Sequence, residues 1–185
     1  MSEEVTPRRA KSEAWEWIKA LAIAIALAFV IRTFLFAPFI VEGESMETTL
    51  QNAEKLVVNK AIYYLAEPER GDIIVFNAEA KRDYIKRVIG VGGDTVEVKN
   101  DVLYLNGKPV EEPYLEKNRE QAKQQGMALT DDFGPITVPE GQLFVLGDNR
   151  LNSRDSRAIG PVALDKVVGR AEFVFWPAKS IRMTR

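Results

Sequence analysis

Ala20-Leu-Ala-Ile-Ala-Ile-Ala-Leu-Ala-Phe-Val-Ile31 contains no polar side chain. Arg32 and Thr33 interrupt the run, and Phe34-Leu-Phe-Ala37 resume it before Pro38. A helix that crosses a bilayer needs roughly 20 predominantly apolar residues, and residues 18–37 supply them. Lys19 and Arg32 stand near enough to the ends to snorkel, and Trp15 and Trp17 fall where an interfacial aromatic belt would lie. Arg8, Arg9 and Lys11 come before the run. The positive-inside rule therefore predicts a cytosolic tail over 1–13, an anchor helix over 14–37 and an extracytoplasmic remainder, 38–185. A cleavable signal peptide needs only a short apolar region, but the residues that follow are Phe, Leu and Pro rather than the small-x-small pattern of a cleavage site. A buried soluble helix that is apolar all round is uncommon in so small a domain.

The chain has 185 residues, enough for one main domain with a small insertion. Its net charge of −2, with acids and bases mixed, gives no reason to expect a nucleic-acid partner. It has no cysteine and no histidine. That excludes disulfides, thiol catalysis (a cysteine transpeptidase among them) and thiolate metal sites, and leaves a zinc site only carboxylates. No metal and no cofactor are expected.

Beyond the apolar run the pattern is one of strands and turns. Lys55–Asn59, Asp72–Phe76 and Ile85–Val91 are short β-branched runs bounded by Gly, Pro or Asn. Thr95–Lys99 and Val102–Leu105 flank Asn100-Asp101, and Asn106-Gly107 leads back through Lys108–Val110, which are two hairpin signals in succession. Gln142–Leu146 and Val167–Phe175 are further strands. Residues 111–135 are polar, rich in Gln and Lys, and read mainly as a surface excursion with a short helix near Leu115–Gln125. The fold expected is mostly β: an N-terminal transmembrane helix followed by an antiparallel sheet, barrel-like, with a small insertion at about 111–135.

Ser45 lies in Val41-Glu-Gly-Glu-Ser-Met46, just past the apolar run. A serine nucleophile in this chain has no imidazole to take its proton. Lys86, in Tyr84-Ile-Lys-Arg-Val-Ile-Gly90, is the best remaining base, because apolar surroundings disfavour the ammonium form. Strand neighbours face opposite sides, so Lys86 and Arg87 cannot share a face and one of them is directed inward. A serine near a glycine is ordinarily a turn residue, and a polar loop after a strand is ordinarily solvated. Yet Gly147-Asp-Asn-Arg-Leu-Asn-Ser-Arg-Asp-Ser-Arg157 gathers hydroxyls, carboxylates and guanidiniums into one region. There Asp155 and Arg157 suit a charge-assisted pair, and Ser153 suits a hydroxyl that holds a lysine amine.

Together these residues resemble the type I signal peptidases, the membrane-anchored leader peptidases of bacteria. Gly43-Glu-Ser-Met-Glu-Thr-Thr-Leu50 is similar to their nucleophile box, and Gly71-Asp-Ile-Ile-Val-Phe76 to a structural strand box. Tyr84–Asp94 is similar to the lysine box, and Gly147–Arg157 to the Gly-Asp-Asn-Arg-x-x-Ser-x-Asp-Ser-Arg box. The resemblance implies a serine endopeptidase that removes signal peptides from exported preproteins at the outer face of the plasma membrane. Ser45 would be its nucleophile and Lys86 its general base. Ser153 would orient the amine, with Asp155, Arg87 and Arg157 in support. Phe39, Val41, Leu50 and Ile85 fall where family members line apolar pockets for small side chains. Preprotein signal peptides are the implied substrates, with the lipid bilayer and the translocation machinery as partners.

Two positions depart from the family pattern. Thr48 stands where many members have Pro, which is expected to loosen the turn after the nucleophile. Gly43 stands where some carry a hydroxyl that binds the oxyanion, leaving chiefly the backbone N–H of Ser45 for that role; one such donor can be worth about 10²–10³ in rate. Two rival readings remain. A self-cleaving repressor of the SOS type would need a DNA-binding domain where the apolar run stands. A membrane-anchored, non-catalytic β-domain that binds exported proteins would tolerate loss of Ser45 and Lys86. Phe173-Val-Phe-Trp-Pro177 reads either as a second lipid contact or as a buried terminal strand.

Overall fold

The apolar run forms the helix its composition dictates. The computed structural model describes residues 8–79 and 82–184, so residues 1–7 of the expected cytosolic tail lie outside the described residues. Helix α1 (Arg8–Val30) continues through a wider π-helical turn, Ile31–Leu35. Over Glu13–Leu35 it is long and apolar enough to cross a bilayer, and its apolar stretch is not buried in the rest of the chain. The helix ends at Leu35, two residues before the expected limit. Pro38 disfavours helical backbone in the residue before it, and Phe36 is already extended (φ −135°). Phe36 and Ala37 therefore open strand β1 (Phe36–Ile40). The end of the helix is tied down where it meets the sheet, because Lys60 donates from its backbone N–H to the Leu35 carbonyl (2.8 Å) and from Nζ to the Thr33 carbonyl (3.3 Å).

The strands that follow are β2 (Lys55–Asn59), β3 (Ile73–Glu79), β4 (Arg82–Val91), β5 (Thr95–Lys99), β6 (Val102–Leu105) and β7 (Lys108–Val110). After helix α2 (Glu116–Gln124) come β8 (Phe133–Thr137) and β9 (Gln142–Leu146); after the short helix α3 (Ser156–Ile159) come β10 (Val162–Ala163), β11 (Val167–Trp176) and β12 (Arg182–Met183). They form two antiparallel sheets. The larger runs β1-β2-β11-β3-β4-β9-β10, with β12 on β11; the smaller runs β7-β6-β5-β8. The larger sheet is open, with β1 and β10 at its edges, rather than a closed barrel.

Both hairpin signals act as read. Asn100 and Asp101 have φ of +50° and +62°, Asn106 and Gly107 +54° and +75°. Tight two-residue hairpins require that sign at both central positions. One core, including Val41, Met46, Leu50, Leu56 and Val75, lies against β1, β2, β3 and β11. A second fastens the small sheet to the large one, with Val96, Val98 and Leu103 packed on Phe144 and Leu146 of β9.

Residues 111–135 are more than a surface excursion. Leu115, Ala122 and Leu129 make a small core of their own, and Glu112, Asn118 and Thr130 are buried. The polar composition of α2 is used on its inner side, a point that composition alone does not convey.

Candidate active site

Strand β4 decides where the two basic residues go. Alternation sets Tyr84, Lys86 and Val88 on one face and Ile85, Arg87 and Ile89 on the other. Because β4 is an interior strand covered on both faces, Lys86 and Arg87 are both buried, at 4% and 6% exposure, rather than one inward and one out. Pairing with β3 runs over Arg82–Arg87, but pairing with β9 begins only at Arg87, opposite Leu146. The chain leaves that ladder at Gly147, and the turn that carries Ser45 takes the vacated place. A methyl group at Gly147 would lie 2.5 Å from the Ser45 carbonyl oxygen and closer still to Ser153 Oγ, so only glycine fits.

Ser45 follows Gly43, whose φ of +95° is a conformation that glycine reaches without steric cost. The turn is then clamped from outside. Asn149 donates from its N–H to the Ser45 carbonyl (3.0 Å) and from Nδ2 to the Glu44 carbonyl (3.1 Å). Thr49 Oγ1 donates to Asp148 (2.5 Å), Arg182 Nη2 donates to the Thr49 carbonyl (2.5 Å), and Leu50 N–H donates to the Met46 carbonyl (2.9 Å). The turn past Thr48 is thus held by neighbours, not by a proline.

This places Lys86 Nζ 2.7 Å from Ser45 Oγ, across 41 residues of chain. Nζ also donates to the Ile85 carbonyl (3.0 Å) and sits 5.2 Å from the centre of the Tyr84 ring. Burial pushes the Lys86 amine down from 10.5 to about 8, while the carboxylates of Asp155 and Asp148 partly offset that effect. About a tenth of the molecules then carry a neutral amine at pH 7 and about half at pH 8. A neutral amine within hydrogen-bond reach of a hydroxyl can take its proton.

Arg87 turns the other way and is bidentate on Asp148, through Nε (2.9 Å) and Nη2 (2.7 Å). Burial works against its charge, and Asp148 more than restores it, leaving its pKa raised. Asp155 is fully buried and caps α3. It accepts from Gly147 N–H (3.0 Å) and from Arg157 Nε and Nη2 (both 2.8 Å). Burial alone would raise the Asp155 carboxyl; the Arg157 guanidinium and the Gly147 amide hold it below the usual carboxylate range. Ser153 Oγ is buried without a well-formed hydrogen bond among the described residues, yet it stands close enough to Asp155 to help hold that carboxyl down. The Lys86 amine is held by Ser45 and the Ile85 carbonyl instead.

A groove of about 1050 Å³ opens in front of this pair, lined by Phe39, Val41, Tyr84 and Ile85 among others. Leu50 is not on its wall; it is completely buried in the core beneath. The groove lies between β1, an edge strand, and the part of β4 with a free edge.

Several site residues had no distinct signal in the sequence. Asp148 is the shared partner of Arg87 and Thr49. Arg150 is buried in an ion pair with Glu112, and its Nε reaches the Gly147 carbonyl (3.0 Å). Tyr114 lays its ring 3.9 Å from the Arg87 guanidinium, and Asn118 reaches the Ser45 turn. Asp148 and Arg150 sit within the quoted Gly147–Arg157 run, so their place in the site was readable, though their partners were not.

The family model described as Signal peptidase, peptidase S26 matches residues 14–176. A Signal peptidase I of Bacillus amyloliquefaciens is 51% identical over the full length of both chains. Signal peptidase I T of Bacillus subtilis (strain 168) is 50% identical over 98% of this chain and 95% of its own. The crystal structure of a signal peptidase I from Enterococcus faecalis V583 superposes with a TM-score of 0.53 at 39% identity, covering 57% of this chain and 97% of that one.

Proposed function

Since the chain belongs to the peptidase S26 family of signal peptidases, we propose that it is a membrane-bound signal peptidase I that cleaves N-terminal signal peptides from exported preproteins with a Ser45–Lys86 dyad. The observation that carries this reading is the 2.7 Å separation of Lys86 Nζ and Ser45 Oγ at a buried site. Neutral Lys86 takes the Ser45 proton as Oγ attacks the scissile carbonyl, and the backbone N–H of Ser45 serves the developing oxyanion. The tetrahedral species collapses to an acyl-enzyme as Lys86 passes its proton to the leaving amine. Lys86 then activates the water that releases the signal peptide. Asp155, Arg157 and Arg87 support the pair without touching substrate.

The substrate enters as an extended segment between the edges of β1 and β4. Phe39, Val41 and Ile85 then form the apolar walls that accept small side chains one and three residues before the cut. A pH profile tests the dyad. kcat/KM on a preprotein is expected to rise through an acid limb near pH 8, because only the neutral amine is a base and its pKa is about 8. A profile flat from pH 6 to 9 would rule Lys86 out as the base.

The anchor and the sheet face beside it support a location at the membrane. We place the N-terminus in the cytosol, the span at 14–35 and the catalytic domain outside, where the translocation machinery delivers its substrates. Register aligns Pro38, Val57, Phe173 and Met183 in one row and Ile40, Lys55 and Trp176 in the next. Phe173 and Trp176 are 37% and 54% exposed, although β11 is an interior strand rather than a terminal one. This outward apolar face adjoins the anchor and supports a second lipid contact. Trp176 is the sole tryptophan of a fragment that begins at Phe36. Its emission is expected to shift to the blue on anionic vesicles, and Trp176→Ala or Phe173→Ser is expected to weaken vesicle binding several-fold. Unshifted emission with unchanged binding by Phe173→Ser would remove the contact.

A further inference from the structure

Two residues of the 111–135 segment touch the chain segments that carry the two halves of the dyad, at Glu47 and at Arg87. Asn118, 6% exposed on α2, donates through one Nδ2 to the carbonyls of Glu47 (2.8 Å) and Asp148 (2.6 Å). The first belongs to the turn that carries Ser45; the second belongs to the loop after β9 that receives that turn. Tyr114 stacks on Arg87, the strand neighbour of Lys86, and its hydroxyl donates to Glu112 (2.7 Å), the ion-pair partner of Arg150. Leu115, Ala122 and Leu129 seat the segment on their own small core. An amide group is suited to the task, since its two N–H groups can serve two carbonyls at once.

We propose that Asn118 is a positioning residue for the cleavage reaction, with Tyr114 its counterpart on the Lys86 strand. Asn118 pins the Ser45 turn to the loop at Asp148, and Tyr114 pins β4 through Arg87. The inference rests on the dyad reading. Without the amide, the turn is free to shift, Ser45 Oγ leaves hydrogen-bond reach, and water gains access to Lys86. A misplacement of about 1 Å can cost on the order of 10² in rate, and solvation of the amine returns its pKa toward the ordinary value.

The test uses the full-length protein in detergent micelles with a preprotein substrate, comparing wild type, Asn118→Leu, Asn118→Ser and the exposed neighbour Lys117→Ala. The expected result for Asn118→Leu is a fall in kcat of at least about tenfold per folded molecule, with KM within twofold and the acid limb of kcat moved to higher pH. Asn118→Ser, whose hydroxyl can serve one of the two carbonyls, is expected to fall between, and Lys117→Ala to match wild type. If kcat per folded molecule stays within twofold and the pH profile is unmoved, the positioning role is overturned. Should Asn118→Leu fail to fold, Asn118→Ser decides by the same two readouts. A wild-type protein that cleaves nothing would overturn the peptidase reading instead, whereas active wild type with unaffected Asn118 variants overturns only this inference.

Discussion

Ser45→Ala and Lys86→Ala are each expected to bring preprotein cleavage to the assay floor while the protein remains folded. A general base contributes typically 10²–10⁴-fold, and the nucleophile is needed for the acyl-enzyme route at all. Groups that act as a unit are not additive, so the double variant should be no worse than either single one. Lys86→Arg separates base chemistry from simple charge. A guanidinium keeps the positive charge but does not give up its proton near neutral pH, so that variant should be equally inactive.

Lys86→Met offers the complementary reading on stability. The folded-state pKa of about 8 lies below the ordinary 10.5. The unfolded chain therefore holds more protons than the folded one between these values, and stability rises with pH across that window. At pH 7, below both values, the folded state bears the full cost of the buried charge. Replacing the amine by a thioether of similar length removes that cost, so Lys86→Met should be inactive yet at least as stable as wild type in urea at pH 7. Cleavage retained by purified Lys86→Ala or Lys86→Met, without added amine, would end the dyad mechanism.

The largest expected loss of stability comes from Asp148→Ala. The Asp148 carboxylate is fully buried and takes three hydrogen bonds, two from Arg87 and one from Thr49. Removing it leaves a buried guanidinium without its counter-charge, which costs about 3–5 kcal/mol in comparable pairs. The cost should appear as a lower urea midpoint at unchanged slope. Activity should fall as well, since Asp148 joins the strand of Lys86 to the turn of Ser45. Replacing the pair together, as Arg87→Met with Asp148→Leu, should recover much of the stability, because two apolar side chains need no partner. Activity should not return, since Thr49 then lacks its acceptor. If Asp148→Ala unfolds within about 1 kcal/mol of wild type, the pair is not the structural link described here.

Much of the fold was legible because its signals are local. The apolar run, the two hairpins with left-handed Asn, Asp and Gly, and the β-branched strands each announce themselves within a few residues. What was missed had no local signal. β1 follows directly on the anchor and shares its apolar composition. β8 contains Gly134-Pro135, which argues against a strand in general but is tolerated at the edge of a sheet, where β8 lies. Nothing in Val167–Trp176 says that it inserts between β2 and β3.

The same division holds at the site. The absence of histidine already made an amine the best candidate to take the proton of Ser45, and alternation along β4 already separated Lys86 from Arg87. The polar helix residue Asn118 looks, in sequence, like any solvated asparagine. Its two acceptors lie 71 and 30 residues away.

By itself, then, the amino-acid sequence determined the chemistry available: a hydroxyl, an amine, no imidazole, no thiol, and a helix apolar enough for a bilayer. Those properties belong to single residues and short windows. Only the tertiary structure decided that Ser45 and Lys86 meet, at 2.7 Å, and that the amine is depressed to about 8. Proximity across 41 residues requires the loop after β9 to leave its ladder at Gly147, and the depression requires burial. Both come from long-range packing, which no local pattern encodes.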